Sequence, residues 1–214
     1  MKIFALELSS ARGSLAWRDG DVELEREWPN DRKNSGAFFK NLADVQKQFG
    51  APDRIVVGLG PGSYAGTRIA ISAAIGLALG GTTSVSSQNL GRDRACPAIE
   101  LVGYPSICAF EDAADYCVIG DARRQSFFFA RIRENDLVEG PDLLSESELR
   151  ARIDNEQLLI FATEELPQFQ HVQLRYPSAR RLARLAADAN RAFVVPPLEP
   201  MYLREPHITM PRSK

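Results

Sequence analysis

Between Arg54 and Leu79 an apolar, strand-like run turns directly into a helix-like run through Gly58-Leu59-Gly60-Pro61-Gly62-Ser63-Tyr64-Ala65-Gly66. Four glycines in nine positions make this junction the strongest constraint on the fold. Glycine admits positive φ and lets another backbone or a phosphate come close, Pro61 stiffens the turn, and Ser63 is a natural N-cap for the helix that follows. From spacing alone two readings stand level: a cradle for phosphate on exposed N–H groups, or a sharp corner whose glycines serve close packing. A P-loop is excluded, because it needs a lysine at its end and none occurs between Lys47 and Lys214. Gly60-Pro61-Gly62-Ser63-Tyr64-Ala65 fits the dinucleotide pattern, but no acid answers it near Thr82-Thr83-Ser84, and earlier strands precede it.

Around this junction the chain reads as βββαβα. Ile3–Leu8, Ser14–Trp17 and Val22–Glu27 form a three-stranded meander with a hairpin signal at Asp19-Gly20, and Ala37–Phe49 is a helix carrying Phe38, Leu42, Val45 and Phe49 at helical spacing. Arg54–Leu59 is the fourth strand, Tyr64–Leu79 the second helix, and Leu101–Tyr104 a further strand. The order recurs less cleanly: strands at Tyr116–Gly120 and Gln125–Ile132, a helix at Ser145–Ile153, a strand at Leu158–Ala162 and a helix at Ser178–Ala189. This predicts a degenerate duplication, with halves at 1–104 and 105–214. Gly80–Pro97 reads as a polar, turn-rich surface excursion, Pro196-Pro197-Leu198-Glu199-Pro200 as an extended strap, and Met210–Lys214 as a loose end.

With 214 residues, 44% of them hydrophobic, the chain can bury a substantial core. A formal charge of -2 argues against a broad cationic face for independent nucleic-acid binding. No run approaches the roughly 20 apolar residues of a membrane span, and the short acidic start is unlike a signal peptide, so a cytoplasmic, non-membrane protein is expected. Cys96, Cys108 and Cys117 match neither a paired framework nor a metal motif and are expected to be reduced thiols. His171 and His207 lack a histidine partner at i+3 or i+4, which removes the helical two-histidine metalloprotease geometry. Ser63 has Pro61 and Ala65 where a hydrolase elbow needs glycines.

The second helix is small or apolar on nearly every side, broken mainly by Arg68, and so has too little polar surface for one solvated face. Phe38 and Phe39, about 100° apart on the first helix, cannot both face one sheet well. An association patch of Phe38, Phe39, Leu42, Val45, Arg68, Ile71 and Ile75 is predicted. Arg180, Arg181 and Arg184, with Arg123 and Arg124, read first as a solvated set and second as a contact for tRNA or an acidic partner.

Gly60-Pro61-Gly62-Ser63-Tyr64-Ala65-Gly66-Thr67-Arg68-Ile69 resembles the Gly-Pro-Gly-Ser-Phe/Tyr-Thr-Gly-Leu-Arg-Ile signature of the TsaB family of bacterial tRNA threonylcarbamoyladenosine synthesis. Gly120-Asp121-Ala122-Arg123-Arg124 and Glu199-Pro200-Met201-Tyr202-Leu203-Arg204 are similar to that family's Asp-Ala-Arg and Pro-x-Tyr-Leu-Arg segments. Glu7-Leu8-Ser9 replaces the family's opening Asp-Thr-Ser, and Asn34-Ser35 its His-Ser. The resemblance implies an α/β fold of two ribonuclease-H-like halves of the actin/hexokinase/sugar-kinase type, the second degenerate. It implies a non-catalytic scaffold, itself without cofactor, metal or catalytic residues. The scaffold would pair through its two N-terminal helices with a copy of itself or with the catalytic subunit TsaD, act alongside the ATPase TsaE, and meet tRNA only indirectly. Gly60, Pro61, Gly62, Ser63 and Gly66 would then be a structural loop, and Glu7 a strand-end carboxylate satisfied by backbone donors or an arginine. A nucleotide-dependent ATPase or kinase, and a glycoprotease-type metallopeptidase, are the competing classes.

Overall fold

The computed structural model describes residues 1–30, 35–81 and 98–204, so Asn34, Cys96, His207, the segment 82–97 and the 205–214 end lie outside the described residues. The first three strands, β1 (Lys2–Glu7), β2 (Arg12–Asp19) and β3 (Val22–Pro29), form the expected antiparallel meander, with Gly20 at positive φ opening the two-residue turn between Asp19 and Val22. Helix α1 (Gly36–Phe49), strand β4 (Arg54–Gly58), helix α2 (Tyr64–Gly81) and strand β5 (Glu100–Tyr104) complete a sheet of order β3-β2-β1-β4-β5. β4 runs parallel to both β1 and β5, as helical crossovers require.

The second sheet repeats this plan. β6 (Tyr116–Asp121), β7 (Ser126–Arg133) and β8 (Asp136–Ser145) are its meander, α3 (Glu146–Ile153) follows, and β9 (Leu159–Ala162) and β10 (Val172–Leu174) give the order β10-β9-β6-β7-β8. The repeat is degenerate where no helix joins β9 to β10, and α4 (Ala179–Leu185) closes the series. Two mixed five-stranded sheets with these crossovers constitute two ribonuclease-H-like halves of the actin/hexokinase/sugar-kinase type.

Alternation along the strands explains the layering. In β1, Phe4 and Leu6 face α1 and α2, whereas Ile3 and Ala5 face a central core shared with the second sheet. In β7, Phe127 and Phe129 pack towards α3, whereas Phe128 and Ala130 enter that same central core. The inner strands β1, β4 and β6 are therefore covered on both faces and read as near-continuous apolar runs, whereas the edge strands β3 and β8 carry charged, exposed residues. α4 fills the central layer with Ala179, Leu182, Ala183 and Leu185 against β1, β2 and β4 of the first sheet. Its arginines keep part of the solvated face expected of them, Arg184 being exposed, but are also paired: Arg180 with Glu25 and Glu111, Arg184 with Glu23 and Glu111, while Arg181 donates to Asn135 Oδ1. The Arg184 hydrogen bond also holds the Glu23 carboxyl below its ordinary pKa.

The strap crosses back to the first half. Val194 bridges Gly103 on β5, Leu198 is buried in the core beneath the first half's helices and sheet, and Met201 N–H donates to the Leu59 carbonyl at 2.7 Å. Cys108 and Cys117 are free and buried, and burial pushes the thiol pKa of each up to about 12.

Candidate functional site

The glycine corner is a packing device. Gly60 and Gly62 take positive φ, which favours glycine. A Cβ on residue 58 would overlap the Glu7 carboxyl, one on residue 62 the Ser9 carbonyl, and one on residue 66 the Leu8 carbonyl. Three of the four glycines are thus explained by the end of β1 lying against β4 and the first turn of α2, rather than by room left for a phosphate. Hydrogen bonds lock the corner: Ser63 N–H donates to Ser9 O at 2.5 Å, Ser106 N–H to Gly60 O at 2.8 Å, and Gly60 N–H to Ser106 Oγ at 2.9 Å. Ser63 caps α2 as expected, its Oγ accepting from Gly66 N–H at 3.3 Å.

Glu7 is fully buried beneath this corner. Its Oε1 accepts the Ser9 N–H at 2.6 Å, while Oε2 lies near Ser106 and has no hydrogen-bond partner. No arginine reaches it among the described residues. Burial raises its pKa above the ordinary carboxyl value, and the lowering influences of Ser9 and Ser106 offset only part of that.

Between the halves lies a cleft of about 980 Å³, lined by Ser9, Ser10 and the glycine corner on one wall and by Asp121–Arg124 and Glu164 on the other, with Met201–Arg204 at its side. Glu7, the acid at the end of the first strand, is unsuited to holding a magnesium ion in this cleft, because it lies outside the cleft lining and its oxygens are taken by Ser9 N–H or packed over Gly58. Asp121 is occupied by the backbone and guanidinium of Arg123, and Glu164 accepts the Asp121 N–H. Among the described residues no group of three or more His, Cys, Asp or Glu is placed to hold an ion.

The predicted association patch divides in two. Phe38, Leu42, Val45 and Ile71 are buried in the chain's own core against the first sheet, so they are corrected from interface to core residues. Their i, i+4, i+7 spacing marks the inward stripe of α1, which packs on β2, and Ile71 shares the inward face of α2 with Ala70 and Ala74. Phe39, 50% exposed, and Ile75, 41% exposed, remain outside together with Arg68.

Sequence reasoning missed the partners of these residues. Tyr64, Arg68, Ser72, Ile75 and Leu79 all face outward on α2 at successive turns, and Leu79 is 65% exposed. At the N-terminal end of this stripe Tyr202 of the strap packs against Tyr64 at 5.4 Å between ring centroids. Arg68 lies over the other end of the pair, 5.1 Å from the Tyr64 centroid, and donates Nη1 to the Tyr64 hydroxyl at 3.0 Å. The helix spacing made the α2 stripe readable, but the return of the strap to it was not encoded in any local pattern.

No described helix is long and apolar enough to cross a membrane. No protein-family model matches the chain. It is 29% identical over 192 residues to uncharacterized proteins of Mycobacterium tuberculosis and Mycobacterium bovis, covering 88% of this chain and 78% of each relative. Among solved structures it is similar to a Pseudomonas aeruginosa protein described as resembling the peptidase YeaZ, with 20% identity and a TM-score of 0.69 over 95% of this chain and 99% of that one. It is likewise similar to YeaZ from Pseudomonas aeruginosa, with 19% identity and a TM-score of 0.66 over 94% and 99% of the two chains. The chain therefore has the fold of YeaZ.

Proposed function

We propose that this chain is a TsaB/YeaZ-type assembly subunit. It supports a TsaD-like catalytic subunit in transferring the threonylcarbamoyl group to the tRNA adenosine next to the anticodon, alongside a TsaE-like ATPase. The chain itself is non-catalytic in this reading, and tRNA meets the complex chiefly through the partner. The observation that carries it is the outward face of α2, where Ile75 and Leu79 are exposed on a helix with only one charged residue. Such a face is costly to leave in water and is typical of association surfaces. Glu7, buried outside the cleft lining, and the glycine corner closed by β1 favour a scaffold over a nucleotide-dependent enzyme of the same fold.

Co-purification with the TsaD-like subunit of the same organism tests the reading. Wild-type chain should form a stable complex, and Ile75→Asp should weaken it at least about a hundredfold, a loss within the range seen for central interface residues. Circular dichroism should show the variant folded, since Ile75 is not part of the buried core. Unchanged binding by Ile75→Asp rejects this face. Calorimetry with magnesium and ATP on the isolated chain tests the competing class, and a saturable signal with phosphate release would favour the enzyme.

A further inference from the structure

We propose that the cleft between the halves binds a small organic phosphate without a metal ion, the phosphate taken by Arg124 and Arg204 and the organic part by Leu59, Phe128 and Met201. The site lies away from the α2 docking face and does not depend on it. Arg124 belongs to the turn between β6 and β7, where Arg123, Arg124 and Gln125 take φ of 66°, 54° and 58°. Such turns are ordinarily built from glycine and asparagine, because a Cβ in this region crowds the following carbonyl. Closing the turn needs only backbone bonds, Ala122 N–H to Ser126 O at 2.9 Å and Ser126 N–H to Arg123 O at 3.2 Å, and glycine would form them with less strain. The chain instead places two guanidiniums there, both in the cleft lining. A local choice at odds with its backbone marks a position kept for binding rather than for folding.

Arg204 arrives at the same turn from 81 positions further along the chain and donates Nη2 to the Arg123 carbonyl at 3.5 Å. The strap that carries it is fixed to the first half by Met201 N–H on Leu59 O and by Tyr202 on Tyr64. Arg123 is paired with Asp121 at 3.3 Å, and Glu164 accepts the Asp121 N–H, but among the described residues neither Arg124 nor Arg204 forms an ion pair. Converging cations repel one another, and an anion between them turns that repulsion into attraction. A phosphate monoester, with a charge of about −1.5 to −2 at neutral pH, matches two cations. Its three terminal oxygens accept from forks that arrive from different segments, whereas a carboxylate is matched to one fork. The guanidiniums supply the neutralising charge, and no group of three or more described His, Cys, Asp or Glu is placed to hold an ion. The volume of about 980 Å³ suits a small molecule with an apolar body. Bound there, the phosphate ties the strap to the second half.

Calorimetric titration of the full chain in the presence of a chelator, with phenyl phosphate, inorganic phosphate and benzoate as probes, tests the site. Phenyl phosphate should bind saturably, and the other two at least about tenfold more weakly. Arg124→Gly should weaken phenyl phosphate at least about tenfold, as loss of a charged hydrogen bond does, while the ligand-free thermal midpoint stays level or rises because the strain is relieved. Arg204→Ala should show the same loss of binding. Arg133→Ala, which removes an exposed arginine of β7 outside the cleft lining, should bind as the wild type does. Full binding by Arg124→Gly or by Arg204→Ala overturns the assignment, and so does an equal loss in Arg133→Ala, which would mark general charge attraction. Benzoate as tight as phenyl phosphate overturns the phosphate, and inorganic phosphate as tight overturns the organic part. Binding that appears only when magnesium is added overturns the metal-free site. No saturable heat with phenyl phosphate at millimolar concentration overturns the whole inference. Each of these results leaves the docking face to its own test with Ile75→Asp.

Discussion

Glu7 shows how a single longer side chain changes the use of a strand end. With Oε1 on the Ser9 N–H and Oε2 packed beside Gly58, the carboxyl is part of the core and is disfavoured as an anion. Its folded pKa is raised, so over the pH range above the unfolded carboxyl value the native state holds a proton that the unfolded state releases. Stability contributed by the neutral group is complete below the unfolded pKa and is lost as pH rises through the folded one. The thermal midpoint of the wild type should thus fall more steeply from pH 5 to pH 8 than that of Glu7→Gln, and Glu7→Gln should be the more stable at the upper end. Parallel curves for the two proteins would mean that Glu7 is ionised in the fold. Position 7 was recognisable in the sequence as a strand-end acid satisfied by backbone donors or an arginine, and of the two the Ser9 N–H supplies the donor. The full burial depends on Ser106 and Gly58 arriving from other elements, which no local pattern contains.

Helix caps illustrate the same division between local and distant causes. Ser145 and Glu148 form a capping box at the start of α3: Ser145 N–H donates to Glu148 Oε2 at 2.8 Å, and Glu148 N–H to Ser145 Oγ at 3.4 Å. Ser178 caps α4 through Arg181 N–H at 3.1 Å, but its hydroxyl also lies within hydrogen-bond distance of Glu25 on β3 and of Glu111. Ser145→Ala should cost about 1 kcal/mol, the ordinary worth of an exposed cap. Ser178→Ala should cost about 2 to 3 kcal/mol, because it also strips a donor from partly buried carboxylates, as measured by urea unfolding of both variants. Equal losses would show that Ser178 acts only as a cap. Both helix starts were legible from the serines that open them. Strand β8 was not, because Gly140-Pro141 interrupts it and reads as a turn, yet an edge strand tolerates proline where no ladder donor is needed. β10 is three residues long and too short for any periodic signal.

The halves of the molecule are joined by more than a linker. α4 belongs to the second half of the chain but packs on β1, β2 and β4, and Arg54 of β4 donates Nη1 to Ala186 O at 2.5 Å just beyond α4. Residues 1–104 expressed alone would leave Ile3, Ala5, Ala16 and Val56 uncovered. That fragment should be aggregation-prone and lack the near-ultraviolet signature of a packed core, and adding residues 105–214 in trans should restore it. A soluble, cooperatively unfolding fragment would show that the first sheet does not need α4. The outward stripe of α2 and the strap that extends it through Tyr202 exist together only in this assembled state.

Local chemistry was sufficient to write most of the elements into the chain. The period-two strands, the Phe38-Leu42-Val45 stripe, the capped helix starts and the glycine corner all follow from neighbours a few residues apart, whose steric and hydrogen-bonding preferences act without the rest of the fold. Packing settled what those neighbours could not. It turned Phe38, Leu42, Val45 and Ile71 inward, left Phe39 and Ile75 outside, tied the α4 arginines to β3, and brought Tyr202 onto Tyr64. Burial and charge pairing depend on which distant segments meet, and a helix with apolar residues on both sides does not announce which side its own sheet will take.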